Sequence, residues 1–192
     1  MDQNRWQSCK ISISMLLLLL IAGCQLRPVA KGLPTFTQLQ QYNIQNRQDQ
    51  VDIKWRDQSF AFLLYQQQQQ DHLHVLALSL TGQVLFELHY DGDQVNVIQR
   101  IDAMKYLPFD FVLRDILWAT LPASMVQQQV QTLGLNLTQT VGQHGQIQRE
   151  IGTTNKVQLK ILQQNGNIQI NNLNVPYQMT ITAADQQFFQ PE

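Results

Sequence analysis

From Leu73 to Gln99 three apolar runs alternate residue by residue, separated by two turn signals, Thr81-Gly82 and Asp91-Gly92-Asp93. Side chains two apart share one face of a strand, so this rhythm predicts consecutive antiparallel hairpins. With Thr81 and Gly82 as a two-residue turn, Leu80 pairs with Gln83, Ala77 with Phe86 and Val75 with Leu88. One face then carries Leu73, Val75, Ala77, Val84, Phe86, Leu88 and Tyr90, and such a face must be covered.

The same period recurs along the chain. Tyr42 and Ile44 alternate with polar neighbours, as do Val51, Ile53 and Trp55. Ser59 to Tyr65 is more continuously apolar, the pattern of a strand covered on both faces, and Gln66 to Gln70 reads as a polar hairpin loop. Asn165-Gly166 marks a later hairpin between Val157-Leu159-Ile161 and Ile168-Ile170, and Val175, Tyr177, Met179 and Ile181 give a last strand. The spacing turns helical from Pro108 to Leu121, where Phe109, Val112, Leu113, Ile116, Leu117 and Leu121 share one side. A second short helix is expected from Pro122 to Thr132, closed by Gly134. The expected class is α+β, mainly antiparallel β: a curved sheet or incomplete barrel of about 9–11 strands closed by central helices near 108–132.

The N-terminus has a different character. Arg5 and Lys10 precede an uncharged run from Ile11 to Ala22, the form of an export signal. That run is short of the roughly 20 apolar residues a membrane-spanning helix needs. It ends in Ile21-Ala22-Gly23-Cys24, which resembles the lipobox of bacterial lipoproteins at all four positions. The resemblance implies cleavage between Gly23 and Cys24, with diacylglyceryl and N-acyl groups, palmitate-like in kind, carried by Cys24. Cys9 leaves with the signal, so no disulfide partner for Cys24 remains in the chain. Two or three acyl chains hold a protein stably on a bilayer where one does not. Gln25, where inner-membrane lipoproteins carry aspartate, implies the periplasmic face of the outer membrane.

The expected organisation is a removed signal over 1–23, a lipidated N-terminus and tether over 24–39, and one β domain over 40–192. Pro28, Gly32 and Pro34 motivate the tether. Without Asp2, Arg5 and Lys10 the chain keeps 11 basic and 13 acidic residues, and no basic field argues for nucleic acid. Glutamine is so common, 34 residues, that amides supply much of the polarity.

Catalytic chemistry is sparse. In the register above His74 lies opposite His89, with His72 along the same side and Asp91 opposite it, so three imidazoles and a carboxylate could hold zinc. A one-residue slip dissolves that cluster, and polar side chains near an exposed strand end are the plainer reading; no metal is expected. Ser59, Ser79 and Ser124 lack a Gly-x-Ser-x-Gly elbow. Glu87 and Asp91 read as solvated carboxylates rather than a catalytic pair. Gly142-Gln-His-Gly145 lacks the lysine and following helix of a phosphate loop and reads as a turn. The chain is not expected to be an enzyme.

Two blocks, Val75-Leu-Ala-Leu-Ser-Leu-Thr-Gly82-Gln-Val-Leu-Phe86-Glu-Leu-His-Tyr90-Asp-Gly92 and Leu113-Arg-Asp-Ile-Leu-Trp118-Ala-Thr-Leu-Pro122, resemble a family of bacterial lipoproteins often encoded among genes for aryl polyene lipid synthesis. That family is distantly similar to LolB, the outer-membrane lipoprotein receptor, and to LolA, its periplasmic carrier. The resemblance implies a half-open antiparallel barrel enclosing an apolar cavity for acyl chains. It also implies a lipid, acyl or lipoprotein cargo, aryl polyene lipid among them, and lipoprotein-sorting or lipid-export proteins as partners. No counterpart of LolB's exposed apolar delivery loop is found, since Gln66 to Gln70 is wholly polar. Among Trp118 and the nearby phenylalanines, Phe60, Phe62, Phe86, Phe109 and Trp118 are the candidate cavity lining, with ordinary core as the alternative for them and for Phe111. A structural or assembly lipoprotein acting through a partner competes with the carrier reading, and a metal-dependent enzyme comes third.

Overall fold

A computed structural model of the chain describes residues 30–42 and 46–184. The signal, Gly23, Cys24, Gln25 and Ile44 lie outside the described residues. The strands are β1 (Arg47–Trp55), β2 (Gln58–Gln68), β3 (Leu73–Leu78), β4 (Val84–Tyr90) and β5 (Val95–Arg100), then β6 (Asn136–Val141), β7 (Ile147–Thr153), β8 (Lys156–Gln164), β9 (Asn167–Asn172) and β10 (Tyr177–Ala183). Helix α1 (Phe36–Gln41) precedes them, while α2 (Phe109–Thr120) and α3 (Ala123–Thr132) separate β5 from β6.

All ten strands form one antiparallel sheet in the order β5-β4-β3-β2-β1-β10-β9-β8-β7-β6. Neighbours are consecutive in sequence except β1 and β10, which pair from Asp49↔Ala183 to Trp55↔Tyr177. The sheet is open, with edges at β5 and β6. The expected class, strand number and central helices agree with this.

One face of the sheet is apolar and carries the helices. Val51, Ile53, Phe62, Leu64, Val75, Ala77, Phe86 and Leu88 are buried on one half, and Ile151, Leu159, Ile161, Ile170, Met179 and Ile181 on the other. Helix α2 crosses this face. Phe109 at its start meets the Phe86 ring of β4, with centroids 4.9 Å apart. Asp115 in its middle accepts from Asn172 of β9 and Tyr177 of β10, and its last turn is held by Arg149 of β7. The amphipathic spacing explains the packing, since Val112, Leu113, Ile116 and Leu117 turn inward together. Pro122 stops α2, and Gly134 at φ +68° ends α3, where Leu135 N–H bonds to Val130 O.

The β3–β4 pairing holds Ala77↔Phe86 and Val75↔Leu88 as expected, but Leu78 pairs with Val84 across a bulge. Ser79 closes a wider turn by donating its N–H to Gln83 O, so Leu80 has no partner in Gln83 and stands 70 % exposed. Asn165 and Gly166 both have positive φ, the two-residue turn their identity called for.

Three expectations need correction. The glutamine run is not a loop throughout: β2 continues through Gln68, and Gln66 is buried on the apolar face opposite Val75. Hydrogen-bonding to β1 and β3 outweighed polarity there. Ala61 is exposed and Leu63 only half-buried, so β2 is covered on one face rather than both. Tyr42 caps a helix instead of opening a strand.

The expected tether is docked from Ala30 onward. From there the chain is a strap lying against α2 and the β4–β5 turn. Trp118 Nε1 donates to Gly32 O at 2.9 Å, and the buried Tyr90 hydroxyl donates to Pro34 O at 2.6 Å. Gly32 and Gly92 both have positive φ, and a Cβ on Gly92 would stand 2.5 Å from Phe36 N. Gly32 and Pro34 therefore marked close docking rather than freedom. Thr35 begins α1 with a capping box, its Oγ1 accepting from Gln38 N while Gln38 Oε1 accepts from Thr35 N. Thr35→Ala is expected to cost about 1 kcal/mol in urea unfolding, the usual worth of such a cap.

Candidate functional site

The segment between β5 and α2 must cross from the sheet edge to its apolar face. A short 3₁₀ turn at Asp102–Met104 makes the corner, burying Met104 and Leu107 and leaving Tyr106 62 % exposed. Beneath this corner lies a cavity of about 650 Å³. Trp55, Leu107, Phe109 and Phe111 give it a buried apolar floor, and Leu33 and Val175 extend it from the strap and the β9–β10 turn. Val95 and Val97 of β5 form a wall, with Val97 37 % exposed at the opening. The volume falls within the roughly 300–1,000 Å³ usual for small-molecule sites.

The charged lining is on the solvent side. Arg56, Arg100 and Lys105 are exposed there, with Asp93 and Asp110 as the carboxylates. Asp110 accepts the N–H of Ala30, so its charge is partly committed to the strap. The Arg56 guanidinium lies 5.0 Å from the Trp55 ring centroid and Lys105 Nζ 4.9 Å from that of Tyr106, both cations resting on aromatic faces. The arrangement can bury an apolar chain while presenting cations to a polar or anionic end.

Of the five residues assigned to a cavity, only Phe109 lines this one. Phe62 and Phe86 are 1 % exposed and meet edge to face at 5.4 Å, and Trp118 is likewise 1 % exposed, bonded to Gly32 and Gln129. They fill the interior. Phe60 is half-buried against the core. Phe111, weighed alongside them, does line the cavity. The wall was missed because Leu33, Trp55, Val97 and Val175 come from four distant segments joined only by the β1–β10 pairing and the strap. The signal that could have found it is the double apolar face of β5, where Val97 and Ile98 are both exposed.

Two buried ionic groups position α2 over the sheet. Asp115, wholly buried, takes hydrogen bonds from Tyr177 and Asn172 and pairs with Arg114 at 2.8 Å. Burial pushes its carboxyl above the usual range, more than these partners pull it down. Arg149 donates to the carbonyls of Trp118, Ala119 and Leu121, acceptors that the end of α2 leaves without backbone partners, and Gln163 also donates to Ala119 O. Burial also lowers its guanidinium's pKa.

The histidines meet on the opposite, outer face. His74 lies across from His89, and the His72 ring stacks on His89 with centroids 4.2 Å apart. The carboxylate beside them is Glu87, not Asp91, which instead accepts from Asp93 N and Gln94 N in its own turn. Burial and the neighbouring imidazoles push His89 below its ordinary value. Glu87 is held below the usual carboxylate value, first by the Gln99 amide.

An open ten-stranded antiparallel sheet, helices laid over its apolar face and an apolar-floored cavity at one end define the class of the domain, α+β. The family whose model the chain matches, over residues 46–185, is described as Protein of unknown function (DUF3261), and the chain belongs to it. No curated protein matches the chain.

Proposed function

We propose that the domain is a non-enzymatic lipid-binding module, anchored through acyl groups on Cys24 at the periplasmic face of the outer membrane, that takes an acyl chain into the cavity beneath the Tyr106 corner. The observation that carries this is the pairing of an apolar floor at Trp55, Leu107, Phe109 and Phe111 with the cations Arg56, Arg100 and Lys105 at the opening. Such a site suits a single-chain amphiphile with an anionic or polar head. The strap from Ala30 leaves Cys24 only a few residues away along the chain, keeping the cavity close to the lipid surface. Resemblance to LolB and to lipoproteins encoded with aryl polyene lipid genes supports the same reading, with aryl polyene lipid or a lipoprotein's acyl chain as cargo and sorting or export proteins as partners.

Each methylene moved from water into the cavity contributes about 0.8 kcal/mol, close to fourfold in affinity. Displacement of a fluorescent fatty acid by saturated fatty acids of rising length should therefore show affinity climbing about fourfold per methylene until the cavity is full. Val97→Asp, which places a charge in the exposed wall, should weaken uptake tenfold or more at unchanged thermal stability. Flat affinity along the series, or full uptake by Val97→Asp, would rule out this cavity.

A second reading is an assembly lipoprotein with a solid interior that works through a protein partner. The dense aromatic packing of Phe62, Phe86 and Trp118 favours it. It predicts no acyl uptake at all.

A further inference from the structure

Three of the chain's four histidines stand together on the outer face of the β3–β4 hairpin, away from the cavity. Strand geometry puts them there, since His72 and His74 are two apart at the start of β3, and Glu87 and His89 two apart on β4. His74 Nε2 lies 2.9 Å from Glu87 Oε1, and His89 Nε2 lies 3.7 Å from the same oxygen. One ligand atom from each of His74, Glu87 and His89 falls within 4.8 Å of the other two. A tetrahedral zinc centre with bonds near 2.0–2.1 Å holds its ligand atoms about 3.3–3.5 Å apart, so small side-chain adjustments suffice.

We propose that His74, Glu87 and His89 form a binding site for a late first-row divalent cation, zinc(II) above all, with the fourth coordination position open to solvent. Two imidazoles and a carboxylate are ligands such ions favour over magnesium or calcium. The side chains are 21 %, 22 % and 35 % exposed, sheltered yet reachable. Gln99 Nε2 donates to the second Glu87 oxygen at 2.8 Å, fixing the carboxylate while Oε1 faces the imidazoles. His72 is a positioning residue. Its Nδ1 is held by Asp71 at 2.6 Å, its ring backs His89, and its buried Nε2 has no protein partner.

The test is calorimetry of the full chain, purified in detergent without a polyhistidine tag, titrated with zinc chloride. One equivalent should bind saturably. His74→Ala and His89→Ala should each weaken binding tenfold or more, Glu87→Gln and His72→Ala by less, and His144→Ala should leave it unchanged. Binding that is absent, or indifferent to His74→Ala and His89→Ala, overturns the proposal. Should those variants fail to fold, cobalt(II) added to the unaltered chain decides. An intense visible band of a four-coordinate centre supports the site, and the pale spectrum of the hydrated ion overturns it.

Discussion

Replacing Arg149 with methionine is expected to destabilise the domain by about 3–5 kcal/mol, because it strands the buried carbonyls of Trp118 and Leu121 and leaves Ala119 O to Gln163 alone. The guanidinium serves the carbonyls of Trp118, Ala119 and Leu121 at one end of α2 and Gln139 Oε1 on the neighbouring strand. Methionine keeps most of the volume and loses every one of these bonds. Urea unfolding should show a lower midpoint at unchanged slope. Arg149→Lys should recover only part, since an ammonium lacks the planar fork that spans several carbonyls. A loss below 1 kcal/mol would mean that Arg149 contributes little to holding the end of α2.

The second large effect is expected at Asp115, the wholly buried carboxylate that joins α2 to β9 and β10. Asp115→Ala leaves the buried Asn172 amide without its acceptor, and takes the charged partner from Arg114 and Tyr177, which keep only the carbonyls of Lys31 and Phe111. A cost of about 3–5 kcal/mol, or about 10 °C in Tm, follows. Its pH dependence has a definite sign. The folded carboxyl titrates above its ordinary value of 3.8, so between that value and the folded one the native state binds the extra proton. Unfolding free energy therefore falls as pH rises through that window and levels off above it. The difference between wild type and Asp115→Asn, followed by urea titration across the acid range, isolates this slope. A difference that grows more favourable to wild type with rising pH would contradict the assignment.

Local rules made much of the fold legible. Asn165-Gly166 dictated its hairpin, Pro108 and Pro122 bracketed α2, and the alternation from Leu73 to Tyr90 chose the buried face correctly. The bulge at Leu78 escaped because Thr81-Gly82 is as compatible with a wider turn as with a tight one. Pairing of β1 with β10 is set by burial across more than a hundred residues, a contact that no local pattern encodes. The strap was misread because Gly32 and Pro34 signal flexibility only when nothing lies beside them. Here Trp118 and Tyr90 donate hydrogen bonds to it.

The sites divide in the same way. Residues on one hairpin were placed together in advance, so His74 and His89 were found facing each other, with only the carboxylate misassigned to Asp91. Cavity residues come from the strap, β1, β5, the corner before α2 and the β9–β10 turn, and aromatic identity alone could not separate Phe109, which lines it, from Phe86, which fills the core.

The proposed function requires that the cavity beneath the Tyr106 corner hold an acyl chain. Native mass spectrometry of residues 25–192, purified gently from cells without added lipid, tests this most directly. A population heavier than the bare protein by the mass of one lipid or fatty acid is expected, diminished in Val97→Asp. A single species at the mass of the polypeptide, unchanged after incubation with fatty acid, would contradict it.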